Sequence, residues 1–127
     1  MSTILLSVKP RFAHKLIDGA KKYEYRKRLP LCKVSKIVVY SSFPEKKIIG
    51  ELEVVDTISM KKSPLWEKTK KESGITRDEY RQYFQGCNLA YAYVVGKAKR
   101  YEKPLELSDY DITRAPQSFV YMTVIPE

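Results

Sequence analysis

Short apolar runs, separated by turn residues, limit this chain to a fold built mainly from short strands. Segments 4–8, 35–41 and 47–58 are rich in Ile, Leu and Val, which is typical of buried strands. Pro10 suits the first turn of a helix after the first strand, and Gly50 is expected to make a bulge or kink. No run approaches the roughly 18 apolar residues of a membrane span. The predicted strands are 4–8, 22–28, 35–41, 47–58, 89–101 and 118–125.

Two further helices are predicted between the fourth and fifth strands, because the hydrophobic period changes there. The first is expected to begin with Ser63 as N-cap and to end at Gly74. The second begins at Thr76, which forms a capping box with Glu79, and ends at Gly86. The element order is therefore β-α-β-β-β-α-α-β-β.

That order favours a single α+β domain over residues 1–127. Neighbouring strands are mostly joined by short connections, as in an antiparallel sheet. We expect a small, mostly antiparallel and partly closed β-barrel with flanking helices. A chain of 127 residues, 43% of them hydrophobic, is long enough to bury a core.

The charge balance points to an anionic partner. The chain has 24 Lys and Arg against 15 Asp and Glu, a net charge of +9 with a pI near 9.5. An excess of this size favours RNA, DNA or nucleotides. Cys32, Cys87 and His14 do not have the spacing of metal ligands, so neither a metal nor another cofactor is expected. The N-terminus lacks the pattern of a signal peptide, which predicts a cytoplasmic protein without a membrane partner.

The stretch GAKKYEYRKR places one acid among many bases. Gly19 is expected to end the first helix, which leaves Lys21 at the junction with the next strand. Strand alternation puts Glu24 and Arg26 on one face, with tyrosines on the other. Two interpretations remain open from these residues: an ion pair on a solvated face, or the polar wall of a cleft.

This stretch resembles the G-x-K-x-x-E-x-R motif of ASCH domains, which are relatives of the PUA-like fold. The similarity extends to the segments LLSVKPRFAHKLIDG, VVYSSFP, IIGELEV and PQSFVYM, so it covers nearly the whole chain. It implies a PUA-like barrel with a cationic cleft that binds RNA or another nucleic acid, or a nucleoside-like small molecule. A role in RNA metabolism or transcription-linked regulation would follow.

The resemblance also implies which residues line the cleft. Lysine and arginine would contact phosphate, glutamate and glutamine would contact a base edge, and Tyr40 or Phe43 would stack on a base. The cleft residues carried over in this way are Lys9, Lys21, Glu24, Arg26, Tyr40, Ser41, Ser42, Gln117 and Ser118.

An enzymatic alternative comes from small ASCH-like amidohydrolases that act on N4-acetylcytidine. Their working residues are Lys, Thr and Glu, and the matching positions here are Lys21, Glu24 and Glu72. Glu24 replaces the threonine, so a water activated by Glu24 or Glu72 would have to act, with Lys21 polarising the acyl group. Ribonuclease activity is a further interpretation, although no histidine is expected in the cleft. A third is an interaction module without a ligand of its own.

The segment KKSPLWEKTKKESG is a run of cations around the only tryptophan. Trp66 is expected to pack in the core or under a lid, with base stacking as the less favoured interpretation. The lysines either form a solvated helix face or follow the phosphates of a nucleic acid.

Overall fold

Six strands and three α-helices account for the fold of residues 2–122, the part of the chain that the computed structural model describes. Two short 3-10 turns complete it, at Lys70–Glu72 and Leu107–Tyr110. The α+β prediction and the predicted order of strands and α-helices are confirmed. The elements are β1 (Ser2–Val8), α1 (Pro10–Asp18), β2 (Tyr23–Arg26), β3 (Val34–Ser41), β4 (Lys47–Lys61), α2 (Lys62–Thr69), α3 (Arg77–Tyr83), β5 (Leu89–Leu105) and β6 (Phe119–Met122).

All six strands belong to one sheet with the order β2-β5-β4-β3-β1-β6. β1 and β3 are parallel, and the other four neighbouring pairs are antiparallel, as the short connections predicted. Because β2 and β6 are the two edges and do not pair with each other in residues 2–122, the barrel is not confirmed.

The reason for the open edge lies in the chain after β2. Residues 27–33 leave the sheet, and Leu29 packs against the core instead of extending the edge strand. One side-chain hydrogen bond, from Arg26 to Ser118, connects β2 with the residue that precedes β6. We call the gap between β2 and β6, bridged by this bond, the seam.

The sheet buries apolar side chains on both faces. α1 packs Ala13, Leu16 and Ile17 against one face, and α2 and α3 cover the other face at β5 through Tyr80 and Phe84. Full burial of a leucine, isoleucine or phenylalanine side chain stabilises the fold by about 1.5–3 kcal/mol relative to its exposure. Within residues 2–122, none of the helices has the length and hydrophobicity to cross a lipid bilayer.

Gly50 confirms the irregularity predicted for the fourth strand. The pairing of β4 shifts register between Ile48 and Gly50 on the β5 side. A Cβ at position 50 would lie 2.3 Å from the carbonyl oxygen of Lys99, which no side chain can accept without movement of the backbone. Glycine is therefore required at position 50 of β4, where the backbone of β5 passes close by.

The helix ends agree with the sequence in one case and differ in another. The Thr76–Glu79 capping box is present, with both hydrogen bonds formed. Ser63 is not an N-cap, because β4 continues to Lys61 and runs directly into α2, which places Ser63 inside the first turn. The predicted sixth strand includes residues 123–125, which lie outside the described residues.

Candidate nucleic-acid interface

Lys21, predicted to line a cleft at the junction of the first helix and the next strand, is buried. The left-handed turn at Gly19, with φ 86°, directs the chain from α1 towards β2. The Lys21 ammonium donates a 2.6 Å hydrogen bond to the carbonyl of Ser73, and only 2% of the residue is exposed. It lies 4.8 Å from the centre of the Tyr25 ring and 5.5 Å from that of Phe12. These contacts hold the charge in place through cation–π attraction and one short bond.

Burial lowers the pKa of Lys21 from 10.5 to about 8, and the Glu24 carboxylate opposes part of that change. Desolvation disfavours the ammonium form, whereas a nearby carboxylate favours it. The backbone of Lys22 connects this turn with two other parts of the fold. Its N–H donates to Glu72 of the 3-10 turn, and its carbonyl accepts from Val95 of β5. A lysine with this pKa can exchange a proton near neutral pH.

Glu24 and Arg26 form a largely buried ion pair on β2. Glu24 lies opposite Tyr93 in the β2–β5 register. An Arg26 nitrogen is 3.2 Å from a Glu24 oxygen, and the second arm of the guanidinium donates a 2.6 Å hydrogen bond to the Ser118 hydroxyl. Only 16% of the Arg26 side chain and 7% of the Glu24 side chain are exposed. Glu24, Arg26 and Ser118 therefore form one polar row across the seam.

Tyr93 lies beneath this row with an unused hydroxyl. Its oxygen is buried and has no hydrogen-bond partner among residues 2–122. Burial raises the pKa of Tyr93 to about 12, and the Arg26 guanidinium opposes this change. The seam therefore combines a buried Glu–Arg pair with a phenol hydroxyl that has no partner in the described residues.

Four of the predicted cleft residues lie where β1 and β3 end, and we call this surface the rim of the seam: Lys9, Ser42, Gln117 and Ser118. Because these strands are parallel, their carboxyl ends lie at the same edge, and the Ser42 N–H donates a 2.9 Å bond to Val8. Ser7 donates a 2.9 Å backbone bond to Ser118, which brings the start of β6 to the same edge. The side chains of Lys9 and Gln117 are exposed there.

The two aromatic residues predicted to stack on a base, Tyr40 and Phe43, differ in exposure. Tyr40 is 4% exposed and packs in a core cluster with Leu5 and Ile48, whereas Phe43 is 76% exposed on the β3–β4 turn. Phe43 is therefore the better placed of the two aromatic residues for base stacking. Ser41 is also buried, and its hydroxyl has no hydrogen-bond partner that meets ordinary geometry within residues 2–122.

The side chain of Glu72 does not join Lys21 and Glu24 in the buried site. Its backbone carbonyl accepts from Lys22, and its side chain is exposed on the 3-10 turn. The partner of Lys21 on this turn is Ser73, through a backbone carbonyl. Sequence reasoning missed Ser73, since a backbone carbonyl carries no residue-type signal. It also missed Tyr93 as a site residue, because alternation gives only its face and the β2–β5 register places it opposite Glu24.

Two of the surface cavities in residues 2–122 lie elsewhere, since neither is lined by Glu24 or Arg26. One has a volume of about 660 Å³ and lies between α2 and α3. The other, of about 380 Å³, lies beside Gly19 and Lys22. The ion pair of the seam is closed in this structure, and Lys9 and Arg28 are exposed cations near it, whereas the ammonium of the exposed Lys27 lies 4.9 Å from the centre of the Tyr83 ring.

Comparisons with known proteins agree with this architecture. The chain is 28% identical to an ASCH domain-containing ribonuclease of Zymomonas mobilis, over 93% of this chain and 82% of that protein. Two crystal structures of ASCH from the same organism, one of a Tyr-to-Phe variant, superpose with TM-scores of 0.89 and 0.88 at 25% and 26% identity. They cover 96% and 95% of this chain, and 91% and 87% of theirs.

A longer relative shares the same segment. The chain is 36% identical over 121 residues to the large ribosomal subunit protein uL22 of Ureaplasma parvum serovar 3. It covers 94% of this chain but spans only 39% of that relative's length. The ASCH domain family matches residues 6–105, which include the G-x-K-x-x-E-x-R motif and most of the sheet. The chain therefore belongs to the ASCH domain family, whose members include a protein named as a ribonuclease.

Proposed function

We propose that this domain binds single-stranded RNA along the rim of the seam. The observation that carries the proposal is the row of Glu24, Arg26 and Ser118, fixed at the edge where β1, β3 and β6 meet. The net charge of +9 supplies the long-range attraction that draws a polyanion to such an edge. The relative named as a ribonuclease supports RNA as the polymer.

Exposed and buried groups would have different tasks in this interface. Lys9 and Arg28 are exposed and would contact phosphates, which gives affinity without reading sequence. Phe43 offers an exposed ring for stacking, and Gln117 an exposed amide for a base edge. The buried pair would serve as a rigid support for these groups.

Loss of Lys9 should weaken RNA binding more than loss of a lysine at the other end of the sheet. We expect Lys9→Gln to reduce the slope of log affinity against log salt by about 0.7, since one phosphate contact is lost on a single strand. Lys33→Gln is the matched control, because Lys33 is exposed at the opposite end of β3. Anisotropy of a labelled oligouridylate at several salt concentrations measures both.

If the two substitutions change RNA affinity and its salt slope equally, RNA does not bind at the rim of the seam. If the unmodified protein binds neither oligouridylate nor oligoadenylate at low salt, the proposed function is wrong.

Cleavage of RNA is the second candidate, and the name of the Zymomonas mobilis relative favours it. Attack of a ribose 2′-hydroxyl on the neighbouring phosphorus breaks the bond to the 5′-oxygen of the next nucleotide and leaves a 2′,3′-cyclic phosphate. The step needs a group that accepts the 2′-hydroxyl proton, a cation for the phosphoryl oxygens and a proton, from solvent, for the departing 5′-oxygen. Glu24 and Arg26 are groups of these two kinds, 3.2 Å apart. Both would have to turn from their mutual contact towards the strand.

The amidohydrolase alternative remains a proposal that rests on Lys21. The pKa of Lys21 near 8 suits a group that polarises an acyl oxygen or transfers a proton. Against it stand the burial of the ammonium and the exposed position of Glu72. Glu24 would have to activate the water in place of the absent threonine.

Both hydrolytic activities can be tested on the same preparations. If the domain is a ribonuclease, it should cleave single-stranded RNA but not the 2′-deoxy strand, and Glu24→Gln should reduce the rate at least about a hundredfold, as loss of a general base does. If it is an amidohydrolase, N4-acetylcytidine should be deacetylated and Lys21→Met should abolish turnover. Lys33→Gln is the control variant for both activities. If the unmodified protein cleaves RNA and deacetylates N4-acetylcytidine no faster than a sample without protein, both hydrolytic candidates are wrong and RNA binding is the remaining function.

A further inference from the structure

The cavity of about 660 Å³ between α2 and α3 is not lined by Glu24, Arg26 or Ser118 of the seam. Its volume falls in the range of small-ligand sites, roughly 300–1,000 Å³. Among its lining residues are one tryptophan, three basic side chains and two glutamines: Lys62, Trp66, Arg77, Arg81, Gln82 and Gln85. We call this cavity the α2–α3 groove.

Trp66 offers a ring to the groove and is held from behind. Its centroid lies 4.8 Å from that of Tyr80, whose ring is buried and whose hydroxyl donates a 2.7 Å bond to the carbonyl of Lys62. Trp66 itself is only partly buried and lines the cavity. A tryptophan fixed on one side and accessible on the other is a suitable platform for a base, because stacking needs a rigid aromatic plane.

The charges around the ring favour an anion. Arg77 and Arg81 are four residues apart on α3, so they lie on the same side of the helix, and neither forms an ion pair within residues 2–122. The acid in the lining is Glu67, which is bound to Lys70 at 2.7 Å; this contact and, to a smaller extent, the charge of the nearby Arg77 lower the pKa of Glu67. The groove therefore has two guanidinium groups beside the ring without an ion-pair contact in residues 2–122, and guanidinium groups of this kind bind phosphate well.

We propose that the α2–α3 groove binds one nucleotide unit of a single-stranded RNA, with the base on Trp66 and the phosphate between Arg77 and Arg81. The exposed amides of Gln82 and Gln85, each with donors and an acceptor, would meet the edge of the base. The proposal rests on the proposed function in that RNA is the polymer, but it assigns a second contact that lies outside the motif of the family.

Because Trp66 is the only tryptophan of the chain, its emission reports directly on this groove. We expect AMP and a short oligoadenylate to quench it at low salt. Arg77→Gln combined with Arg81→Gln should weaken the quenching affinity for oligoadenylate about tenfold and reduce its salt slope by about 0.7, since the contact with the one phosphate is lost. Both positions are exposed, so the fold should remain intact.

Lys68→Gln is the matched control, because Lys68 is an exposed cation of α2 that does not line the groove. It should leave the quenching by AMP unchanged. Quenching that is the same in the unmodified protein and in the double arginine variant would overturn the proposal. So would the absence of quenching by AMP and oligoadenylate, which would leave the groove to another class of partner.

Anisotropy of the same labelled oligoadenylate separates this proposal from the proposed function. Binding of the strand without quenching of Trp66 would overturn the groove and retain the rim. Quenching by AMP without binding of any strand would retain the groove as a nucleotide site and overturn RNA binding.

Discussion

Arg26→Met should lower the free energy of unfolding by about 3 kcal/mol. The substitution leaves the Glu24 carboxylate buried without its partner, and breaking a buried ion pair from one side typically costs about 3–5 kcal/mol. The lower value applies because 16% of the Arg26 side chain is exposed and solvent screens the pair in part. The hydrogen bond to Ser118 is lost as well. Urea unfolding followed by circular dichroism measures the change.

A double-mutant cycle shows whether the unpaired acid is the cause. Adding Glu24→Gln to Arg26→Met should restore most of the lost stability, because the buried charge is then absent. Arg100→Met is the surface control: Arg100 pairs with Asp18 at 2.7 Å, but both side chains are more than 40% exposed, so its loss should cost less than about 1 kcal/mol. A double variant as unstable as Arg26→Met alone would assign the cost to lost packing.

The stability difference between the unmodified protein and Lys21→Met should increase with pH. The pKa of Lys21 is about 8 in the folded protein against 10.5 for an ordinary lysine. Between these values the unfolded chain holds a proton that the folded chain has released, so folding becomes more favourable as pH rises. The difference should grow by about 3 kcal/mol over that interval, at about 1.4 kcal/mol per pH unit.

Urea unfolding at pH 7.5, 8.5 and 9.5 tests this. Tyrosines with raised pKa values, Tyr25 and Tyr93 among them, also lose protons on unfolding at high pH, but they are common to both proteins and cancel in the difference. Lys33→Met is the control, because an exposed lysine changes little in solvation when the chain folds. A difference that stays constant with pH would mean that Lys21 is hydrated in solution.

Local rules predicted the elements of this fold well where one residue type decides the conformation. Gly19 adopts a left-handed conformation at the end of α1, Gly50 lies at a break in register, and Thr76 caps α3 with Glu79. Each depends on steric freedom or on one hydrogen bond between near neighbours. Ser63 failed as a cap because the strand before it continues, and pairing with β5 determines where α2 begins.

The site was less accessible to sequence reasoning, because its partners come from distant parts of the chain. The motif identified Lys21, Glu24 and Arg26, but not that Lys21 would be buried against Ser73. Nor could strand alternation show whether β2 and β6 would pair or leave a seam, since closure depends on strand tilt and on the path of residues 27–33.

The seam also affects how the domain behaves towards other copies of itself. An open edge strand is a template for a second sheet and a frequent origin of aggregation. At one side of the seam that strand is β2, which is only four residues long and carries Glu24 and Arg26 turned towards the interior. A short edge with inward charges is difficult to extend by a foreign strand, because the added chain would have to dock beside a polar row. We therefore expect the ion pair to disfavour edge-to-edge pairing of two copies at β2.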